Sequence, residues 1–143
     1  MIQRVQSIFL LISSAGFGSL FALPIANSEK SFGTVFSDSV LNINDSKGLL
    51  ILTIVGAILS LVSLFLFNNR KMQKMTAWLA VMAGFALSGF AFGIYSKHAE
   101  DMTNSLNLDL GFGMPILSIV MGILAVVFIG KDDKLVKSMD RLR

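Results

Sequence analysis

An all-α membrane protein is the fold class this sequence predicts: an antiparallel four-helix transmembrane bundle with a small extracytoplasmic β-sheet cap and a C-terminal amphipathic helix. Three observations predict it. The chain of 143 residues is 54% apolar with a mean hydropathy of +0.73, above the roughly 45 to 50% apolar share of soluble domains. Its charged residues fall in short blocks, leaving four stretches of about 20 residues without Asp, Glu, Lys, Arg or His. At 1.5 Å per residue such a stretch matches a hydrocarbon core of roughly 30 Å. Beside two of these stretches, apolar and polar residues alternate with the period of a β-strand.

The expected spans are 7–26, 48–67, 76–95 and 111–130, within one transmembrane domain covering 1–143. A charge at the centre of a spanning helix costs about 2.5 to 3.5 kcal/mol. Four uninterrupted windows therefore favour spanning helices over buried helices of a soluble fold, which keep a polar stripe. Arg4 followed by an apolar run resembles a secretory signal, and Ala22 and Ala26 could flank a cleavage site. The run exceeds the roughly 7 to 15 residues of a signal core, so a retained first span is expected. An intact mass for a chain beginning near Asn27 would show cleavage instead.

Orientation follows from the basic residues. With a cytoplasmic N-terminus, the inner side receives Arg4, Arg70, Lys71, Lys74, Lys131, Lys134, Lys137, Arg141 and Arg143, and the outer side Lys30, Lys47 and Lys97. The bias puts both termini in the cytoplasm. Trp78 near the inner end of the third span and Tyr95 at its outer end suit the headgroup level.

Of the external connectors, Leu41 and Ile43 alternate with Asn42 and Asn44, and Leu106, Leu108 and Leu110 with Asn107 and Asp109. Phe32, Thr34 and Phe36 precede the first of these, with Ser37, Asp38 and Ser39 as a turn. The expectation is a three-stranded sheet, the alternative irregular loops whose leucines dip into the headgroups. The likeness of the two Leu-Asn-apolar-polar runs also hints at two related helical hairpins.

Helices in lipid associate through close packing of small residues. Candidate contact faces carry Ser14, Gly18 and Ala22; Gly56 and Ser60; Ala80, Gly84 and Ser88; and Ser118 and Gly122. Gly89 and Gly93 form a GxxxG pair, suited to packing within the chain or to a dimer seam. Phe17, Phe21, Phe85, Phe90 and Phe92 are expected to fill the bundle or contact lipid. Pro115, in the first turn of the fourth helix, would lose no hydrogen bond, and Gly111 and Gly113 would let strand turn to helix.

Chemistry is sparse. Transporters and proton relays usually carry ionisable groups within their spans, and these spans hold hydroxyls instead, each able to bond back to its own helix. His98 with Glu100 and Asp101 is more simply a solvated loop than a metal site. No G-x-S-x-G elbow is present and cysteine is absent, which excludes disulfides and thiolate metal sites. No enzyme activity, catalytic residue, cofactor or metal is expected.

The cytoplasmic tail 131–143 places Leu135, Val136, Met139 and Leu142 on one helical face, flanked by cations. It suits an interfacial helix, possible alternatively as a helical extension of the fourth span. Residues expected to contact lipid or a partner are Arg70, Lys71, Lys74, Lys134, Lys137, Arg141 and Arg143. Anionic lipids of the bilayer are the expected partners, with another membrane protein or a second copy as further options, and not nucleic acid.

The opening Met1-Ile2-Gln3-Arg4-Val5-Gln6-Ser7 and the closing Lys131-Asp132-Asp133-Lys134-Leu135-Val136-Lys137-Ser138-Met139-Asp140-Arg141-Leu142-Arg143 resemble a Bacteroidetes family of small four-span membrane proteins, domain of unknown function 4293. The similarity covers the whole chain, the spans matching mainly in hydrophobicity. It implies the inner membrane of a Gram-negative bacterium and supplies no catalytic residue, substrate or cofactor. The expected function is a non-catalytic membrane component binding a protein partner or lipid; the alternative is a small transporter or channel subunit.

Overall fold

The computed structural model describes residues 5–28, 39–99 and 106–140. Its elements in order are α1 (Val5–Ser19), β1 (Ala26–Ser28), β2 (Val40–Leu41), a single 3-10 turn (Ile43–Asp45), α2 (Lys47–Phe65), α3 (Arg70–Ala99), β3 (Leu106–Leu108) and α4 (Leu110–Asp140). The structure is mostly helical, and α2, α3 and α4 are each long and apolar enough to cross a membrane. The shorter apolar α1 has 15 residues.

Each helix buries one stripe at steps of three and four residues, the spacing that returns a side chain to the same face. In α1 the stripe is Gln6, Leu10, Ser13 and Phe17; in α2 it is Leu49, Thr53, Gly56, Ser60 and Ser63. In α3 it runs Gln73, Ala77, Ala80, Gly84, Leu87 and Ala91, and in α4 Ser118, Gly122, Ala125 and Ile129. The helices pack in the cyclic order α1, α2, α3, α4, each against two neighbours. Neighbours run in opposite directions. Gly16 of α1 lies against Ser118 of α4, while Phe9, earlier in α1, stacks on Phe128, later in α4, with centroids 5.3 Å apart.

Phe17 is the hub of this interior, 1% exposed. A Cβ on Gly56 would sit 2.7 Å from its ring, and one on Gly84 would sit 3.4 Å from the same ring and 2.7 Å from Ile119. Glycine at both positions lets α2 and α3 close on the aromatic side chain. Of the small residues expected at contacts, Ser14, Gly56, Ser60, Ala80, Gly84, Ser118 and Gly122 are buried. Gly18 and Ala22 are exposed, and α1 packs through Ser13 and Gly16 beside Ser14, because the stripe through Leu10 and Phe17 turns these inward. Gly89 and Gly93 face outward into open space, and Phe21, Phe85, Phe90 and Phe92 are likewise exposed.

The sheet closes one end. Its order is β2-β1-β3, both pairs antiparallel, with Ala26 opposite Leu41 on one side and Leu108 on the other. Ile25 extends both ladders, donating its N–H to the Leu41 carbonyl at 2.8 Å and accepting from the Asp109 N–H at 3.1 Å. The Asp109 carboxylate accepts from Asn27 Nδ2 and from the Leu110 N–H, both at 2.6 Å, fastening the central strand to the start of α4. A negative group there also suits the positive end of the helix dipole.

Several expectations change. The helix expected over 7–26 ends at Ser19, because Pro24 has no N–H to donate and disfavours helical backbone at Leu23. Residues 20–23 form turns bonded back to residues 17–19, and Ala26 opens the central strand, an element missing from the sequence expectation. Ile43 leaves the predicted strand for the 3-10 turn, where the Asp45 carboxylate accepts the Asn42 N–H at 2.6 Å. Phe32, Thr34, Phe36, Ser37 and Asp38 lie outside the described residues, while Ser39 takes a left-handed backbone (φ 64) into β2. Pro115 stands one turn inside α4, not at its first turn, so the Gly111 carbonyl does lose a helical partner. Gly111 is nonetheless required, since its N–H approaches the Pro24 carbonyl at 3.0 Å and an added Cβ would collide with it. Finally, α4 continues through Gly130 to Asp140. The expected separate interfacial helix is therefore an extension of α4; one glycine costs a helix about 1 kcal/mol and does not break it.

Candidate functional site

Polarity is arranged inside out. The outward faces carry Ile8 and Leu11, Ile51 and Ile58, Leu79 and Met82, Val120 and Val127, all exposed. The interior holds Gln6, Ser13, Thr53, Ser60, Ser63, Gln73 and Ser118, all buried. Some hydroxyls bond back to their own helix as expected: Thr53 to the Leu49 carbonyl at 2.8 Å and Ser118 to that of Met114 at 3.0 Å. Others cross. Ser13 donates to the Ser118 carbonyl at 2.9 Å and lies 3.4 Å from the Ser60 hydroxyl, and Ser63 donates to the Gln73 carbonyl at 2.9 Å. These bonds join α1 to α4 and α2 to α3.

At the end opposite the sheet, α3 begins just after a tight turn. Asn69 caps it: its side-chain oxygen accepts the Met72 N–H at 3.2 Å, and its carbonyl accepts that of Gln73 at 2.9 Å. The capped helix starts at Arg70, so its first turns carry the basic block. Arg70 reaches across to α4, donating from Nη1 to the Asp132 carbonyl at 2.6 Å. Between the two helices lies a groove of about 1080 Å³. Arg70, Lys71 and Lys74 line one wall and Asp133 and Lys134 the other; Met72, Met75, Trp78 and Ile129 supply apolar surface. Lys74 reaches α4 beside Gly130, its Nζ 3.9 Å from where a Cβ would be. Lys131 stacks over the Phe128 ring at 5.1 Å.

Four of the seven predicted contact residues, Arg70, Lys71, Lys74 and Lys134, thus come together in one groove. Lys137 lies on α4, and Arg141 and Arg143 fall outside the described residues. The groove sits where the exposed surface changes character, with cations at Lys71, Lys74 and Lys134 and apolar side chains from Trp78, Leu79 and Val127 onward. Asp133 is the one carboxylate among the described lining residues, against four cations, so the lining carries a net positive charge.

Gln6 and Gln73 escaped the sequence expectation because both lie outside the spans drawn there. They are 2% and 0% exposed, and Gln6 Oε1 and both polar atoms of the Gln73 amide have no hydrogen-bond partner. The signal that could have found them is periodicity: Gln6 stands four residues before Leu10 and Gln73 four before Ala77, on the buried stripes. Leu10, Ala77, Ala125, Val126 and Ile129 form the adjoining apolar cluster. Among the described residues no group of three or more His, Asp or Glu is placed to hold a metal ion, and His98, Glu100 and Asp101 contribute no described side chain.

Comparison with known proteins finds one family model, described as Domain of unknown function (DUF4293), matching residues 2–142. No curated protein and no solved structure matches the chain.

Proposed function

The chain belongs to the family of domain of unknown function 4293, and from that premise we propose that it is a non-catalytic integral membrane protein whose basic groove binds anionic lipid headgroups. The observation that carries this reading is the inside-out distribution: aliphatic and aromatic side chains cover the outward helix faces while hydroxyls and amides are buried. In water that arrangement would expose several large apolar patches; in lipid it costs nothing. The four helices then form a transmembrane bundle, with the shorter α1 completed by its apolar turn residues, Leu20 to Leu23.

Arg70, Lys71, Lys74 and Lys134 line the groove and Lys131 lies beside it on α4, which supports a cytoplasmic groove, cytoplasmic termini and an outward-facing sheet. In a bacterium this is the inner membrane. Cations on short juxtamembrane segments attract anionic headgroups by about 1 kcal/mol each, and Trp78 sits at the level where aromatic rings anchor.

A transport subunit is the second reading, favoured by the cross-helix hydroxyls of Ser13 and Ser60. Against it, Phe17 is packed between Gly56 and Gly84 in the middle of the interior, so a path would have to run between copies.

The test is membrane extraction followed by lipid analysis. The full chain should stay with membranes through an alkaline wash, and after mild detergent purification it should retain anionic lipid over zwitterionic lipid. Release by the wash would refute the membrane reading, and equal retention of both lipid types would refute the role of the groove.

A further inference from the structure

We propose that the groove between α3 and α4 selects a lipid whose headgroup carries two phosphate groups; this deepens the anionic-lipid reading above and rests on it. Charge is the first argument. Four cations, Arg70, Lys71, Lys74 and Lys134, meet a single carboxylate, Asp133, around one groove. A headgroup with one phosphodiester carries one negative charge and leaves most of that field uncompensated, whereas two phosphates approach a match. Basic pockets between membrane helices on the cytoplasmic side are where multiply charged headgroups bind.

Placement is the second argument. Arg70 and Lys74 are separated by one turn, about 6 Å along the helix, and Lys134 stands on the facing wall. The positive charges are thus spread across the groove, as two phosphates joined by a short linker would require. The volume of about 1080 Å³ exceeds what one phosphate fills. The bond from Arg70 to the Asp132 carbonyl holds the two walls together, and the Lys74 ammonium reaches the α4 wall, 3.9 Å from the Cβ position of Gly130.

The groove is also amphiphilic. Met72, Met75 and Trp78 are exposed beside the ammonium groups, and the exposed face of α3 continues as Leu79, Met82 and Phe85. A lipid seated by its phosphates would lay its chains along that face, and the Trp78 indole N–H could donate to a phosphate or ester oxygen. A free phosphate compound would use the charges alone.

The experiment uses the full chain in neutral detergent and native mass spectrometry. Probes are cardiolipin, its two-chain dilyso form, phosphatidylglycerol, phosphatidylcholine and inorganic pyrophosphate. Both two-phosphate lipids should bind at least tenfold more tightly than phosphatidylglycerol, and Lys74→Gln with Lys134→Gln should reduce the ratio to near one while Lys→Arg at both positions preserves it. The dilyso form carries two chains, like phosphatidylglycerol, so chain number is controlled. Equal affinity for dilyso-cardiolipin and phosphatidylglycerol would overturn the inference and leave the anionic-lipid reading standing. No preference of any anionic lipid over phosphatidylcholine would overturn both. Displacement of lipid by equimolar pyrophosphate would show a site for free phosphates and overturn the lipid assignment. The wild-type comparison decides even if the double variant fails to fold.

Discussion

Replacing Gly56 by alanine isolates the interaction on which the interior turns. The new Cβ would lie 2.7 Å from Cε1 and Cζ of Phe17 and 2.9 Å from Cδ1. Carbon atoms pack best at about 3.5 to 4.0 Å, so the ring must retreat by about 1 Å. Retreat is limited, because the ring is 1% exposed and the α3 backbone at Gly84 stands against it. Overpacking of an enclosed core costs about 1 to 3 kcal/mol, here toward the upper end, offset by about 1 kcal/mol of improved helix propensity. The expected net loss is about 1 to 2 kcal/mol, read as a fall of about 3 to 6 °C in the thermal midpoint in detergent. Gly18→Ala is the control, since its Cβ meets nothing within 4 Å, and should be neutral or slightly stabilising. Adding Phe17→Leu to Gly56→Ala should recover part of the loss, giving a coupling of about 1 kcal/mol in a double-mutant cycle. If Gly56→Ala is as stable as Gly18→Ala, Phe17 is not confined as described.

Other substitutions probe other parts. Gln73→Leu removes a fully buried amide whose polar atoms have no partner, so it should raise stability by about 1 to 3 kcal/mol; a loss measured by denaturant titration would mean that something satisfies the amide. Asn27→Ala breaks the 2.6 Å bond to the Asp109 carboxylate and should cost about 1.5 to 3 kcal/mol, with faster hydrogen exchange at Ile25 and Asp109. Fusion reporters after Arg143 and within 68–75 should read as cytoplasmic and one near Ser37 as external. The reversed pattern would refute the charge argument for orientation.

Much of this architecture was legible along the chain because the signals are local. Long uncharged runs mark helices whatever they pack against, and Leu41 and Leu106 to Leu108 announced strands by alternation alone. The basic block at Arg70 to Lys74 was equally plain, since charge is a property of composition. Pairings were not legible. Ala26 to Ser28 became the central strand because Ile25 and Ala26 lie between Leu41 and Leu108 in space, a relation between segments far apart in sequence. Gly18 and Gly56 look alike in a string of apolar residues, yet one faces open space and the other an aromatic ring. The lysine groove exists only because antiparallel packing of α3 on α4 brings Lys74 beside Gly130 and Lys134. Hydrophobicity and charge act residue by residue and can be read in one dimension; close packing depends on which surfaces meet, and tertiary structure alone decides that.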